Sequence, residues 1–136
     1  MKFKSIFIFL RKPEIYKFAL IGLFNMILVL SLTTFFTEFF NTHYLFSVLL
    51  AYEISIITSF FMNDNWTFNK IPKKNSIIIR LVKFNTFSLM GLCINMIILF
   101  LLTNFIGIHY ILSEIIAILI TFIFNFTTSK KISFKN

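Results

Sequence analysis

The chain alternates long apolar runs with short polar breaks. Four apolar stretches, about residues 17–40, 45–62, 81–105 and 110–128, are divided by two very short breaks and one longer polar segment, 63–80. Each stretch approaches or exceeds the roughly 17–25 residues a helix needs to cross a bilayer core. Past the opening Lys17, the only acids and bases inside them are Glu38, Glu53, Lys83 and Glu114. None shows the polar face that a helix of a soluble bundle carries. The pattern predicts four transmembrane helices, with a basic interfacial arm at 1–16 and a tail at 129–136.

Composition sharpens this picture. Apolar residues make up 58% of the 136 and charged residues 13%, about half the charged share of a soluble domain. The opening residues do not read as a cleaved leader. Their apolar run, 3–10, is short, and Arg11-Lys12-Pro13-Glu14 follows where small residues would mark a cleavage site. Cys93 is the single cysteine, so no intramolecular disulfide forms, and it is expected to pack as a small hydrophobe. No nucleophile–base pair, metal-ligand cluster or glycine-rich phosphate loop is legible, so neither an enzyme nor a cofactor is expected.

The 13 Lys and Arg residues are unevenly placed. Lys2, Lys4, Arg11, Lys12 and Lys17 precede or open the first helix. Lys70, Lys73, Lys74, Arg80 and Lys83 lie between the second and third helices or open the third. Lys130, Lys131 and Lys135 close the chain. The two short connections have none. Basic loops stay cytoplasmic, so both termini and the 63–80 loop are expected inside. The net charge of +8 then faces anionic lipid and implies no nucleic acid. Tyr44 and Tyr110 at the outer ends, and Trp66 on the inner side, suit the membrane interface. His43 and His109 at matching places are too few for a metal site.

Those histidines belong to an internal repeat. His43-Tyr44-Leu45-Phe46-Ser47 recurs as His109-Tyr110-Ile111-Leu112-Ser113, an offset of 66 that also pairs Ala51 with Ala117, Ile57 with Ile123, Phe60 with Phe126 and Phe68 with Phe134. Upstream, Gly22…Asn25 is echoed by Gly91…Asn95 in a different register, which predicts an insertion between the copies. A two-helix unit crosses the membrane and returns, so the second copy starts on the same side. The expected architecture is a parallel repeat about an axis near the membrane normal.

Small and polar residues form stripes at helical spacing. They are Ser47, Ala51, Ser55, Thr58 and Ser59 on the second helix, and Ser113, Ala117, Thr121, Asn125 and Thr128 on the fourth. The first helix offers Gly22, Asn25, Val29 and Thr33, and the third Ser88, Gly91 and Asn95. Small residues four apart let membrane helices approach closely. Either the four stripes simply hold the bundle together, or they also line a polar slot to which Asn25, Asn95 and Asn125 are exposed. Glu53 lies off the stripe, near the middle of its helix among Phe46, Leu49, Leu50, Ile57 and Phe60. A carboxylate at that depth costs at least ~2.5–3.5 kcal/mol. It is therefore expected on a surface that meets another protein or a substrate, or as hydrogen-bonded glue between helices. Its repeat counterpart is Leu119. Glu38 and Glu114 sit nearer the outer surface.

Two segments carry a recognisable pattern: Lys17-Phe18-Ala19-Leu20-Ile21-Gly22-Leu23-Phe24-Asn25, and Ser59-Phe60-Phe61-Met62-Asn63-Asp64-Asn65-Trp66-Thr67-Phe68. A related run, Asn125-Phe126-Thr127-Thr128-Ser129-Lys130-Lys131-Ile132-Ser133-Phe134, closes the fourth helix. Together these resemble the GtrA-like family of small four-helix membrane proteins, from about residue 16 to 134. The resemblance implies one GtrA-like membrane domain over 1–136. It also implies a role in moving, or helping to move, polyprenyl-phosphate-linked sugars across the cytoplasmic membrane for cell-surface polysaccharide synthesis. Asp64-Asn65 departs from the family pattern, where one or two basic residues are common.

A lipid-linked sugar has an anionic phosphate, a polar head and a long apolar tail. Lys17, Arg80, Lys83, Lys130 and Lys131 are candidates for the phosphate. Asn25, Asn63, Asn95 and Asn125 are candidates for the polar route, and Glu53 for a protonated or exchanging group. Four helices make a thin pathway, so a homodimer or a complex with a membrane glycosyltransferase is expected. Two other readings stay open: a non-transporting subunit that anchors a glycosyltransferase, and a small proton-coupled exporter that uses Glu53.

Overall fold

A computed structural model of the chain describes residue 8 and residues 10–134. Lys2, Lys4 and Lys135 lie outside the described residues, as do the side chains of Tyr44 and Tyr110. The described residues form four α-helices: α1 (Pro13–Phe40), α2 (Tyr44–Met62), α3 (Ile77–Leu101) and α4 (Tyr110–Thr128). The last three run on into π-helical turns, at Asn63–Thr67, Leu102–Ile106 and Ser129–Ser133. All four helical segments are long and apolar enough to cross a membrane. α1, of 28 residues, extends for about 42 Å against a bilayer core of about 30 Å.

Two helices begin earlier than the apolar runs. α1 starts at Pro13, whose ring presets the helical φ and whose missing N–H would have had no partner there anyway. Residues expected in the interfacial arm therefore form its first turn. α3 starts at Ile77, where the Ser76 hydroxyl accepts a long bond of 3.5 Å from the Ile79 N–H.

The chain divides into two compact units, residues 1–70 and 71–136. In each, two helices pack as an antiparallel hairpin with a turn end and an open end. At the turn end of the first, Asn41 takes the left-handed conformation at φ 50°; at that of the second, Gly107 does so at φ 77°. That geometry ends a helix, and Gly and Asn tolerate it best. At the open ends, Phe68 packs on Phe18 with ring centres 6.1 Å apart, and Phe134 on Phe84 at 5.6 Å.

Within each unit a seam of small residues holds the helices together. Ser47, Ala51, Ser55 and Ser59 are buried along α2, and Asn63 and Thr67 continue the seam through the π turn. Along α4 the buried series is Ser113, Ala117 and Thr121, continued by Ser129 and Ser133. Phe60, Phe68, Phe126 and Phe134 are sealed beside these seams. Several hydroxyls turn back on their own helix. Thr121 donates to the Ala117 carbonyl at 2.8 Å, and Thr128 to that of Phe124 at 2.8 Å. Thr58 is only half-buried and donates to Ile54 at 2.7 Å.

Three expectations change. Gly22 faces open space, with nothing within 4 Å of a Cβ placed there, so it is not on the packing face of α1. Cys93 is exposed rather than packed. Asn41 and Gly107 lie 66 residues apart, and so do Phe18 and Phe84. The segments between them are equal in length, so no insertion separates them. The Gly22–Gly91 and Asn25–Asn95 matches do not join equivalent positions; the residue 66 beyond Asn25 is Gly91 itself.

Candidate functional site

At the open end of the first unit, the Lys17 ammonium lies 5.4 Å from the centre of the Trp66 ring and donates to the Trp66 carbonyl at 3.4 Å. A cation over an indole face is held by the ring quadrupole, and the end of a helix offers carbonyls to a cation. Asn63 is almost fully buried. Its amide donates to the Ser59 carbonyl at 2.9 Å and is 3.2 Å from the Ser59 hydroxyl, while its Oδ1 is buried with no hydrogen-bond partner. Asp64 follows it, half-buried, and Asn65 is exposed.

At the open end of the second unit the charges are all positive. Arg80 is buried in the first turn of α3, and its Nε donates to the Asn75 carbonyl at 3.2 Å. The ammonium of Lys73 lies 5.7 Å from the Phe134 ring centre, and that of Lys130 is 6.0 Å from that of Phe126. Lys83 is half-buried beside Phe84, and Lys131 is exposed. α3 packs directly against the π turn Ser129–Ser133 that carries Lys130 and Lys131. The turn that carries two of the expected phosphate-side cations, Lys130 and Lys131, is thus packed on the helix that carries the other two, Arg80 and Lys83.

Of the other asparagines of the expected polar route, Asn25, Asn95 and Asn125 are each half-buried. Asn25 and Asn125 each hold a buried Oδ1 without a hydrogen-bond partner. Asn125 lies against Gly91; a Cβ on Gly91 would fall 2.8 Å from the Asn125 Cγ, a separation real Cβ atoms do not show. Gly91 is thus the notch that admits this amide. In the other unit the equivalent positions reverse the sizes, with Asn25 on α1 and Ser59 on α2.

Glu53 is exposed on the outer face of α2, beside the exposed Phe46, Leu49, Tyr52 and Ile57. Phe60, expected on that face, is instead buried in the seam. Sequence reasoning did not bring together the groove near the turn end of the second unit. It encloses about 360 Å³ between Met96, Leu99, Phe100, Thr103, Asn104 and Glu114. Thr103 Oγ1 and Glu114 Oε2 are both buried there with no hydrogen-bond partner. Ser133 and Thr67, 66 apart, hide unpartnered hydroxyls in the same way. Of these, Thr67 and Ser133 carry a sequence signal, their places at the offset of 66.

Two membrane hairpins with small-residue seams define a class of multi-pass membrane protein. The chain belongs to the family described as the GtrA/DPMS transmembrane domain, whose model matches residues 17–134. Over 76 residues, 56% of this chain, it is 41% identical to a protein of Pyrococcus furiosus named dolichol-phosphate mannosyltransferase. That match takes in 21% of the relative, so the chain spans about a fifth of the length of the curated relative it matches.

Proposed function

We propose that the chain moves, or helps to move, a polyprenyl-phosphate-linked sugar across the bacterial cytoplasmic membrane, for glycosylation of cell-surface polysaccharide or teichoic acid. Membership of the GtrA/DPMS transmembrane family carries this reading. In it the two hairpins are copies of one ancestral unit, inserted in parallel, with both termini and the 63–80 loop in the cytoplasm. The recurrence of burial and backbone conformation at an offset of 66 supports the duplication. The basic residues gathered in and around that loop support the orientation. Arg80, Lys83, Lys130 and Lys131 then face the anionic leaflet where a lipid phosphate enters, while Lys17 is held over Trp66. Asn25, Asn63, Asn95 and Asn125 give the head group a polar route, and Glu53 marks a surface for a second copy or a glycosyltransferase. The chain catalyses no bond change.

A second reading has its own support. The relative is named for a glycosyltransferase and is about five times longer than the matched part. A membrane segment of that kind serves equally as an anchor for a separate glycosyltransferase. Reconstitution separates the two. Liposomes carrying the purified chain are expected to transfer a fluorescent polyprenyl-phosphate sugar between leaflets. If the probe stays where it was added, the transport reading fails and the anchoring one gains. A periplasm-active reporter fused after Asn69 is expected to be silent; activity there overturns the orientation.

A further inference from the structure

Four positions at the open ends can be compared directly, because the ring pairs Phe18–Phe68 and Phe84–Phe134 fix the register. In the first unit they hold Glu14, Lys17, Asp64 and Asn65; in the second they hold Arg80, Lys83, Lys130 and Lys131. The first set has two acids, one base and one neutral amide, a formal charge of −1. The second has four bases, a formal charge of +4. Two positions are full reversals, Glu14 to Arg80 and Asp64 to Lys130. The one base retained in both, Lys17 or Lys83, meets a different neighbour. Lys17 is drawn over Trp66, whereas Ile132 stands at the Trp66 position and offers no aromatic face. The scaffold around these positions is otherwise similar, with a π turn, a packed ring pair and a buried polar residue at Asn63 or Ser129.

We infer that the open end of the second unit is a receiving site for the phosphate of a membrane lipid, and that the open end of the first is not. The geometry suits a phosphate on an apolar tail. Arg80 is anchored to the Asn75 carbonyl and supplies fixed charge. The ammonium groups of Lys73 and Lys130 lie over the rings of Phe134 and Phe126. Lys83 and the exposed Lys131 extend the positive surface. At the equivalent positions of the first unit, Glu14 and Asp64 bring negative charge where the second has Arg80 and Lys130. This asymmetry rests on the proposed function only for the identity of the lipid. It directs a polyprenyl-phosphate to one hairpin of the two, and makes the duplicated protein functionally one-sided.

The test uses the full chain in nanodiscs of phosphatidylcholine, with undecaprenyl phosphate as the probe. Each lysine near a membrane surface contributes roughly fivefold to anion affinity, so Lys83→Gln with Lys130→Gln is expected to weaken binding roughly 25-fold. Lys130→Arg keeps the charge and is expected to keep the affinity. Lys17→Gln with Asp64→Asn is expected to leave it unchanged. Grafting the charges, by Glu14→Gln with Asp64→Lys, is expected to raise the bound stoichiometry from one to two. This variant reads out a gain, so a folding defect cannot imitate it. The inference is overturned if the second-unit double variant, with an unfolding midpoint like that of the parent chain, binds as tightly as the parent. It is also overturned if the first-unit variant weakens binding as much. Repeating the series with phosphatidylglycerol in place of undecaprenyl phosphate identifies the source of the phosphate. An equal loss for both lipids keeps the inference and removes the preference for polyprenyl lipids on which the proposed function leans. A loss for undecaprenyl phosphate alone keeps both. Leaflet transfer by a double variant with unchanged binding keeps the function and sinks the inference.

Discussion

At an offset of 66, the two hairpins bury many of the same positions and expose different chemistry. Ser47 and Ser113, Ala51 and Ala117, Phe60 and Phe126, and Phe68 and Phe134 are all buried. On the outer faces, Glu53 stands opposite Leu119 in register, and both are exposed. At the open ends Asp64 stands against Lys130, and Trp66 against Ile132. The contrast follows from what each position must satisfy. Close approach of two helices in lipid depends on side-chain size, so the seam keeps Ser, Ala and Thr in both units. The open ends meet water and lipid head groups, where packing sets no such limit and charge is free to change. The constant part of the molecule is therefore its packing, and the variable part is its electrostatics.

The ring pairs are the hardest test of that equivalence and carry the largest expected effect. Phe68 and Phe134 are each fully buried on the ring of the partner helix. Phe68→Ala and Phe134→Ala should each cost about 3 kcal/mol or more, through lost contacts and the cavity left behind. The loss is read as a lower midpoint for unfolding by sodium dodecyl sulfate in mixed micelles. Similar losses sharpen the equivalence. A large loss at Phe134 with none at Phe68 breaks it.

These rings were legible in the sequence, and it is instructive why other features were not. Phe68 and Phe134 close runs that begin with Ser59-Phe60 and Asn125-Phe126, so order and spacing identified them before any contact was known. The four helices were legible because burying twenty backbone amides in lipid leaves few alternatives. The π turns were not. Asn63–Thr67, Leu102–Ile106 and Ser129–Ser133 share no common composition, and an apolar helix does not announce a local change of winding. The burial of Arg80 was hidden because a charged residue is ordinarily read as exposed; the Asn75 carbonyl that holds it becomes visible only in the fold. Gly22 misled because a glycine pattern alone does not say which face of a helix is used. Of the candidate site, the cations of the second unit were found by charge alone, while the groove at Thr103 and Glu114 depends on a π turn that the sequence does not reveal.

Gly91 offers the next largest effect and a direct exchange between units. The first unit has Asn25 on α1 and Ser59 on α2; the second has Gly91 on α3 and Asn125 on α4. Gly91→Asn alone drives a second amide into Asn125 and should cost about 1–3 kcal/mol, as overpacked cores do. Adding Asn125→Ser recreates the arrangement of the first unit and should recover most of that loss in the same micelle titration. Gly22→Ala, facing open space, should change the midpoint little. Failure of the double exchange to recover stability would show that the two seams are not interchangeable.

A smaller difference lies at the turn ends. Gly107 is left-handed at φ 77°, and Asn41 holds the equivalent place at φ 50°. A Cβ in this region costs about 1–2 kcal/mol, except where a short polar side chain eases it. Gly107→Ala should therefore destabilise by about 1 kcal/mol. Gly107→Asn should be nearly neutral, because the first unit already uses Asn in that conformation. Equal losses for Ala and Asn would mean that the two turns, despite their similar φ, are closed by different forces.

The smallest effect separates the two open ends at their shared lysine. Lys17 is held by the Trp66 ring at 5.4 Å and by a long bond to the Trp66 carbonyl. An exposed cation–π contact contributes about 0.5–1 kcal/mol. Lys17→Gln should thus lower the midpoint slightly, while Lys17→Arg should retain it, since a guanidinium also sits well over an indole. Trp66 is the single tryptophan of the chain, so its emission reports on this contact without a label. Lys17→Gln should shift that emission, and Lys83→Gln, in the other unit, should leave it unchanged. A shift on Lys83→Gln would mean that the charge of the second open end is felt at the first, and the two could no longer be treated as independent surfaces on one scaffold.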